Sequence, residues 1–294
     1  MSADVFQLPI ETGGLARKSA WSRFRRHRLA MAGAAIILVL ALICFLGPAV
    51  LPFDETRIDV MNRFAPPLAS AHLLGTDELG RDMLARLMMG GRISLGIGFA
   101  AMAIAIAIGT GAGMVAGYHG GAVGSALMRF VDAILCFPTI FLLLALAALV
   151  KPGVPSMVLL IAATSWMNVA RIVEAQIKAL RDQDYAVAAR SFGASHLRVM
   201  LRELLPNAMA PIVVAATLNV ARAILLESYV SFLGYGIQPP TASWGNMLNN
   251  AQIYLTSAPW LAILPGIAIT LAVTSFNFTG DGLRDALDPR MDIR

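Results

Sequence analysis

Apolar residues run without an Asp, Glu, Lys or Arg over 29–53, 93–128, 133–150, 152–170, 204–221 and 228–280. A charge at the centre of a bilayer costs about 2.5–3.5 kcal/mol, so charge-free intervals of about 18 residues or more mark places where a helix can cross. The last interval is too long for one crossing. It is interrupted by Gly234, Gly236, Pro239 and Pro240 and by an Asn/Gln/Ser-rich stretch that ends at Ser257, residues that punctuate a helix and belong at a surface. The pattern therefore predicts helices near 29–51, 94–118, 127–149, 154–172, 208–233 and 259–280. It divides the chain into an N-terminal tail (1–28), a first crossing (29–51), an outer connection with an interfacial helix (52–93), a core of five crossings (94–280) and a C-terminal tail (281–294). Within the core, 173–207 forms the one long inner connection, and six crossings leave both termini on one side.

Composition agrees with an all-α polytopic membrane bundle of six transmembrane helices. Of 294 residues, 57% are hydrophobic and 14% charged, with a mean hydropathy of +0.69, whereas soluble domains carry about 25% charged residues. Lysine and arginine set the orientation. With the N-terminus inside, fifteen fall in the N-tail, the 171–207 segment and the C-tail, against six outside (Arg57, Arg63, Arg81, Arg86, Arg92 and Lys151), so both termini are expected in the cytoplasm. The net charge of +5 then belongs to membrane flanks, because the basic residues do not form an aromatic-interleaved face for nucleic acid. The first apolar run begins at Leu29 behind a long polar tail and has no small-residue cleavage site after it, which reads as a retained span.

Little in the chain suits catalysis or metal binding. Cys44 and Cys136 both lie in apolar runs, and His27, His72, His119 and His196 are scattered at spacings that put no two ligands on one helix face. No lysine follows a glycine, so the phosphate-cradling G-x-x-x-x-G-K-[ST] loop is absent. Energy for any active process is expected to come from another subunit, and no catalytic residue, metal or cofactor is assigned to this chain.

Two kinds of feature remain. The first is a set of charges inside the predicted crossings. Arg129 and Asp132, three residues apart, can neutralise one another near the inner end of the third; Arg222 and Glu227, five apart in the outer half of the fifth, are too far round a helix for an ideal pair. Packing against a partner helix and lining a polar cavity both account for such charges. The second is the connections. In 181–207, Asp184 is expected to cap a short helix, Gly193 to end it in a left-handed turn, and Ser195 to cap a second helix that Pro206 closes off. Outside, Asp77 is expected to cap an interfacial helix with Leu79, Met83, Leu84, Leu87 and Met88 on its apolar face, turned into the second crossing at Gly90-Gly91. Trp244, Tyr254 and Trp260 read as headgroup-belt aromatics, and Asp281, Arg284, Asp285, Asp288 and Arg290 as a salt-bridged helix end.

Ala188-Ala189, Gly193 four residues on, and Leu205-Pro206 together resemble the cytoplasmic signature of ABC-transporter permease subunits. GTDELGRD at 75–82, SFLGYGIQPPTASWGNML at 231–248 and NFTGDGLRDALDPR at 277–290 resemble the second, C-type permease of the dipeptide/oligopeptide/nickel importer branch, over roughly 21–290. The resemblance implies a type I ABC importer permease fold in a bacterial cytoplasmic membrane. It implies a homologous second permease, two cytoplasmic ATPases that bind ATP and magnesium, and an external substrate-binding protein. It also implies a coupling role for Ala188, Ala189, Gly193, Ala194, Ser195, Leu205 and Pro206. The family places a glutamate where this chain has Val187 and an isoleucine where it has Leu204, so a charge contact to the ATPase is either missing or moved to Glu203. An ion-coupled secondary transporter is the alternative the intramembrane charges leave open.

Overall fold

The computed structural model describes residues 20–50, 54–68 and 72–287. The N-terminal stretch with Arg17 and Lys18 and the C-terminal stretch with Asp288, Arg290 and Arg294 lie outside the described residues. Those described form eleven α-helices and no strand: α1 (Ala20–Arg26), α2 (Arg28–Val50), α3 (Met83–His119), α4 (Gly121–Leu135), α5 (Thr139–Ala147), α6 (Val154–Arg181), α7 (Asp184–Ser191), α8 (His196–Arg198), α9 (Leu205–Phe232), α10 (Trp244–Met247) and α11 (Trp260–Leu287). Five stretches are long and apolar enough to cross a bilayer: α2, α3, α6, the continuous run His196–Phe232, and α11. The pair α4 and α5, which meet at 82°, makes a sixth when counted as one crossing.

The helices pack as the sequence lets them approach. On α3, Gly109, Gly113 and Gly117 stand four residues apart, where a Cβ would sit 2.5–2.8 Å from the backbone carbonyls of Trp166, Ala170 and Glu174 on α6. Such a stripe lets two backbones close up where apolar burial alone gives no preference over lipid. Val169, Val173 and Ile177 of α6 then join Ala208 and Ile212 of α9 in one buried cluster, and Ile161, Ala223 and Val230 join Ile97 in another. α2 rides on the outside against α11, with Gly33 facing the Ser275 carbonyl.

Four expectations change. The second crossing begins at Met83, where Asp82 accepts the Ala85 amide at 2.7 Å, so the helix expected to lie in the interface is the first part of α3 and the 52–93 connection ends at 82. No turn occurs at Gly90-Gly91. These glycines instead admit another segment: a Cβ on Gly91 would stand 2.3 Å from Cys44 Sγ and 2.6 Å from a Trp244 ring carbon. The third crossing, expected as one helix over 127–149, is broken at Cys136–Pro138, because proline has no amide to continue the ladder and disfavours helix in the residue before it. Finally, Pro206 does not close a short helix: it stands in the first turn of α9, directly after the π-helical stretch Val199–Leu204 that runs into it.

Candidate functional site

Where α6 ends and α9 begins the chain makes a projecting elbow. α7 starts after Gln183, so Asp184 is its first residue and not its cap, and its negative charge suits that helix end. The helix ends in the expected way: Gly193 has φ +81°, its amide donates to the Arg190 carbonyl (2.9 Å), and the Ala194 amide reaches back to Ala189 (3.1 Å). Nothing stands within 4 Å of where a Gly193 Cβ would be, so the glycine serves the turn and no close approach. Ser195 caps α8 through the Arg198 amide, and a π-helical stretch, Val199–Leu204, leads into α9. Ala186, Val199 and Leu204 are fully buried against Tyr118 and α6, while the Tyr118 hydroxyl and His196 Nδ1 share a 2.8 Å hydrogen bond. Arg190 and Arg181 brace the base through the carbonyls of Arg181, Gly117 and Tyr118.

The elbow's far side is apolar and open. Phe192 is 91% exposed and Leu197 62%, with Val187 and Tyr185 beside them. Ala188, Ser195 and Pro206 are exposed, and Ala189, Ala194 and Leu205 partly buried against the base. Burial and the nearby Glu203 carboxylate push the Tyr185 hydroxyl above its ordinary pKa.

At the opposite end of the bundle, GTDELGRD folds into a polar knot rather than a helix. Asp77 accepts the amides of Leu79 and Arg81 (both 2.9 Å), the Arg81 side chain (2.6 Å) and that of Arg86 (3.3 Å). Glu78 takes the other end of Arg81. Thr76, fully buried, receives the Trp260 indole on its carbonyl (3.1 Å). Gly80, at φ +78°, would place a Cβ 1.7 Å from the Asp59 carbonyl, so only glycine fits. Facing the knot, residues 234–254 fold back toward the bundle and enclose a space of about 240 Å³ with it. Trp244 is no belt residue: it is 1% exposed, and its indole donates to the Leu87 carbonyl (2.9 Å). The Tyr254 ring packs against Phe64 at a tilt of 46°, with ring centroids 4.9 Å apart.

Glu227 holds this fold-back in place. It is fully buried, with Oε2 accepting from Ser94 of α3 (2.8 Å) and Oε1 from Ser231 (2.7 Å). Each serine passes the bond on: Ser94 Oγ accepts the Trp244 amide (3.1 Å) and Ser231 Oγ the Ile237 amide (3.0 Å). The four-residue step from Glu227 to Ser231 was visible in the sequence; Ser94 and the fold-back were not, because that contact spans 133 residues.

The remaining intramembrane charges do not pair as the sequence suggests. Asp132 binds Arg171 of α6 (3.0 Å), not Arg129, because the antiparallel neighbour brings a guanidinium to the same level; both partners are exposed, and Arg129 is exposed as well. Arg222 points away from Glu227 and lines a cleft between α5, α6 and α9. On α11, Asp285 stands 3.6 Å from His27.

A bundle of five full crossings and a bent one, with an elbow on one face and a segment folded back into the other, defines a membrane transport permease. Residues 109–293 match the family described as "Binding-protein-dependent transport system inner membrane component", and 17–67 match the "N-terminal TM domain of oligopeptide transport permease C". The chain belongs to this family of binding-protein-dependent permeases. It is 40% identical to the dipeptide transport system permease protein DppC of Bacillus subtilis, over 93% of this chain and 86% of that protein. It is 37% identical to the oligopeptide permease OppC of the same organism (93% and 90%) and 39% to the di/tripeptide permease DppC of Pseudomonas aeruginosa (93% and 92%). In fold it is similar to a chain of the inward-facing MetNI methionine ABC transporter, with a TM-score of 0.57 at 19% identity over 72% of this chain and 98% of that one.

Proposed function

We propose that the chain is one half of the membrane pathway of an ATP-driven importer of di- or oligopeptides. The observation that carries this reading is the identity of about 40%, over more than nine-tenths of the chain, with permeases named for dipeptide, oligopeptide and di/tripeptide transport. A homologous second permease completes the pathway, two separate ATPases bind ATP and magnesium, and an external protein delivers the peptide. The protein sits in a bacterial cytoplasmic membrane with both termini inside, as its lysines and arginines favour. It makes and breaks no bond itself.

The elbow is the part that meets the ATPases. An exposed Phe192 beside Leu197 and Val187 offers an apolar tip on a base braced by Arg181 and Arg190, and a stiff lever of this kind passes displacement rather than absorbing it. Its bend depends on Gly193, with Ala188 and Ala189 on the helix before the turn, Ala194 and Ser195 directly after it, and Leu205 and Pro206 opening α9. Nothing supports the ion-coupled alternative.

The test is uptake of radiolabelled dialanine by proteoliposomes holding the whole complex and its binding protein. Uptake is expected to require ATP inside and this chain in the assembly. Vesicles that accumulate dialanine equally without the chain, or purified permease that retains no ATPase, would overturn the reading.

A further inference from the structure

The cleft between α5, α6 and α9 has a volume of about 750 Å³ and is lined in part by Thr139, Ile140, Ser165, Asn168, Arg222 and Tyr229, within the range of ligand pockets. Its depth follows from helix geometry. Ser165 is eleven residues from the outer end of α6 and Arg222 ten from the outer end of α9. At about 1.5 Å per residue both lie about 15–17 Å below those ends, the middle of a hydrocarbon core about 30 Å thick.

Three independent features make this cleft attractive to an anion. Arg222 is exposed and forms no hydrogen bond or ion pair among the described residues, although a lone charge at this depth is costly. The Ser165 hydroxyl is buried in the wall, the residue being 2% exposed, and finds no partner among them either. α5 begins here, directly after the break at Cys136–Pro138, with no side chain capping it. The amides of Phe141 and Leu142 both turn to the Pro138 carbonyl, leaving those of Thr139 and Ile140 without an acceptor among the described residues. A helix N-terminus with free amides carries a positive partial charge and binds anions, and broken membrane helices present such ends to substrate carboxylates. No carboxylate among the described residues answers them: Asp132 is engaged by Arg171 and Glu227 by Ser94 and Ser231, and neither lines the cleft.

We propose that this cleft receives the terminal carboxylate of the peptide in transit, with Arg222 as counter-charge and Ser165 and the first turn of α5 as hydrogen-bond donors. The inference rests on the peptide reading above and adds the group that is recognised. A cation open on one side, rather than locked in a salt bridge, suits a station on a path: it lowers the cost of a desolvated carboxylate at mid-membrane without holding it tightly.

The test uses the complete reconstituted transporter with dialanine and with dialanine amide, each at a concentration that saturates the binding protein. Arg222→Gln is expected to lower the maximal uptake of dialanine by about tenfold, while complex yield and thermal stability stay at wild-type values. Amide uptake is expected to change less than twofold, and Arg222→Lys to restore most of the dialanine rate. Equal loss for both substrates would overturn the proposal, since Arg222 would then not be reading the carboxylate. So would a dissociated or destabilised complex rescued by Arg222→Lys, which would assign the guanidinium to an acidic side chain of the second permease. Wild-type vesicles that take up neither dialanine, nor its amide, nor longer alanine peptides would refute the peptide reading itself and the carboxylate inference with it.

Discussion

Replacing Glu227 with glutamine changes one atom of a closed hydrogen-bond circuit, and the consequence can be followed bond by bond. Both carboxylate oxygens accept from a serine hydroxyl, and both serines already accept a backbone amide of the fold-back segment. A glutamine keeps one acceptor and presents a donor in place of the other. One serine hydrogen then has no acceptor in a site with no access to water, which costs about 1–3 kcal/mol. If the loss falls on local opening of the fold-back, its opening equilibrium rises by about 5–150-fold. Hydrogen–deuterium exchange of peptides covering 235–248 in the intact complex reads this directly, because the Ile237 and Trp244 amides terminate the circuit. Their exchange should accelerate within that range while the α3–α6 contact around Gly113 keeps its protection. Unchanged exchange at both amides would refute the claim that Glu227 fastens the segment, whatever happened to transport.

Other substitutions probe other joints. Gly91→Ala puts a Cβ against Cys44 Sγ and the Trp244 ring, both under 3 Å; overpacking of this kind costs about 1–3 kcal/mol, so the melting temperature of the detergent-solubilised complex should fall, and an unchanged value would show that the fold-back can move aside. Phe192→Ser removes an exposed ring that supports no part of this chain's core, so membrane insertion and stability should be retained while ATPase subunits co-purify at least tenfold less well; undiminished co-purification would place the docking surface elsewhere. Reporters fused after Arg63 and Asn249 should read outside, and one after Arg190 inside; an outside signal at Arg190 would invert the orientation and remove the elbow from the ATPases.

Local chemistry in the sequence carried far, and its failures share one cause. Each charge-free interval overlaps a long apolar helix or the bent pair α4 and α5, because the penalty for a buried charge is paid residue by residue and needs no partner. Gly193 and Ser195 were legible for the same reason: a left-handed turn and a cap are decided within four residues. Contacts between distant segments were not. Asp77 looked like a helix cap, since an Asp before an apolar run usually is one, yet Arg81 and Arg86 converge on it and Asp82 takes the capping role. Trp244 looked like a headgroup aromatic because nothing in its neighbourhood announces that Gly91 has left room for its ring. Arg129 and Asp132 were correctly spaced to pair, but the sequence cannot show that Arg171 stands closer. The bend at Pro138 was local chemistry overlooked, and the proline itself was the signal.

The position of α9 gives these separate sites a mechanical relation. It runs 28 residues, about 42 Å at 1.5 Å per residue, with the elbow at its inner end, Arg222 in its body and Glu227 near its outer end. Its inner end is tied to the elbow through the buried cluster of Val199, Leu204, Ala208 and Ile212, and its outer end to α3 and the fold-back through the two serines. The two ties differ in kind. Hydrogen bonds around a buried carboxylate are directional and lose most of their value over a small displacement, whereas an apolar cluster tolerates sliding. The weak points of this continuous helix fall within the inner tie, at the π-helical stretch that leads into α9 and at Pro211, which cannot donate to the preceding turn. If the elbow is the docking site proposed above, a displacement delivered there meets the π-helical stretch and Pro211 before it reaches Arg222 and Glu227, because one continuous helix carries them in that order.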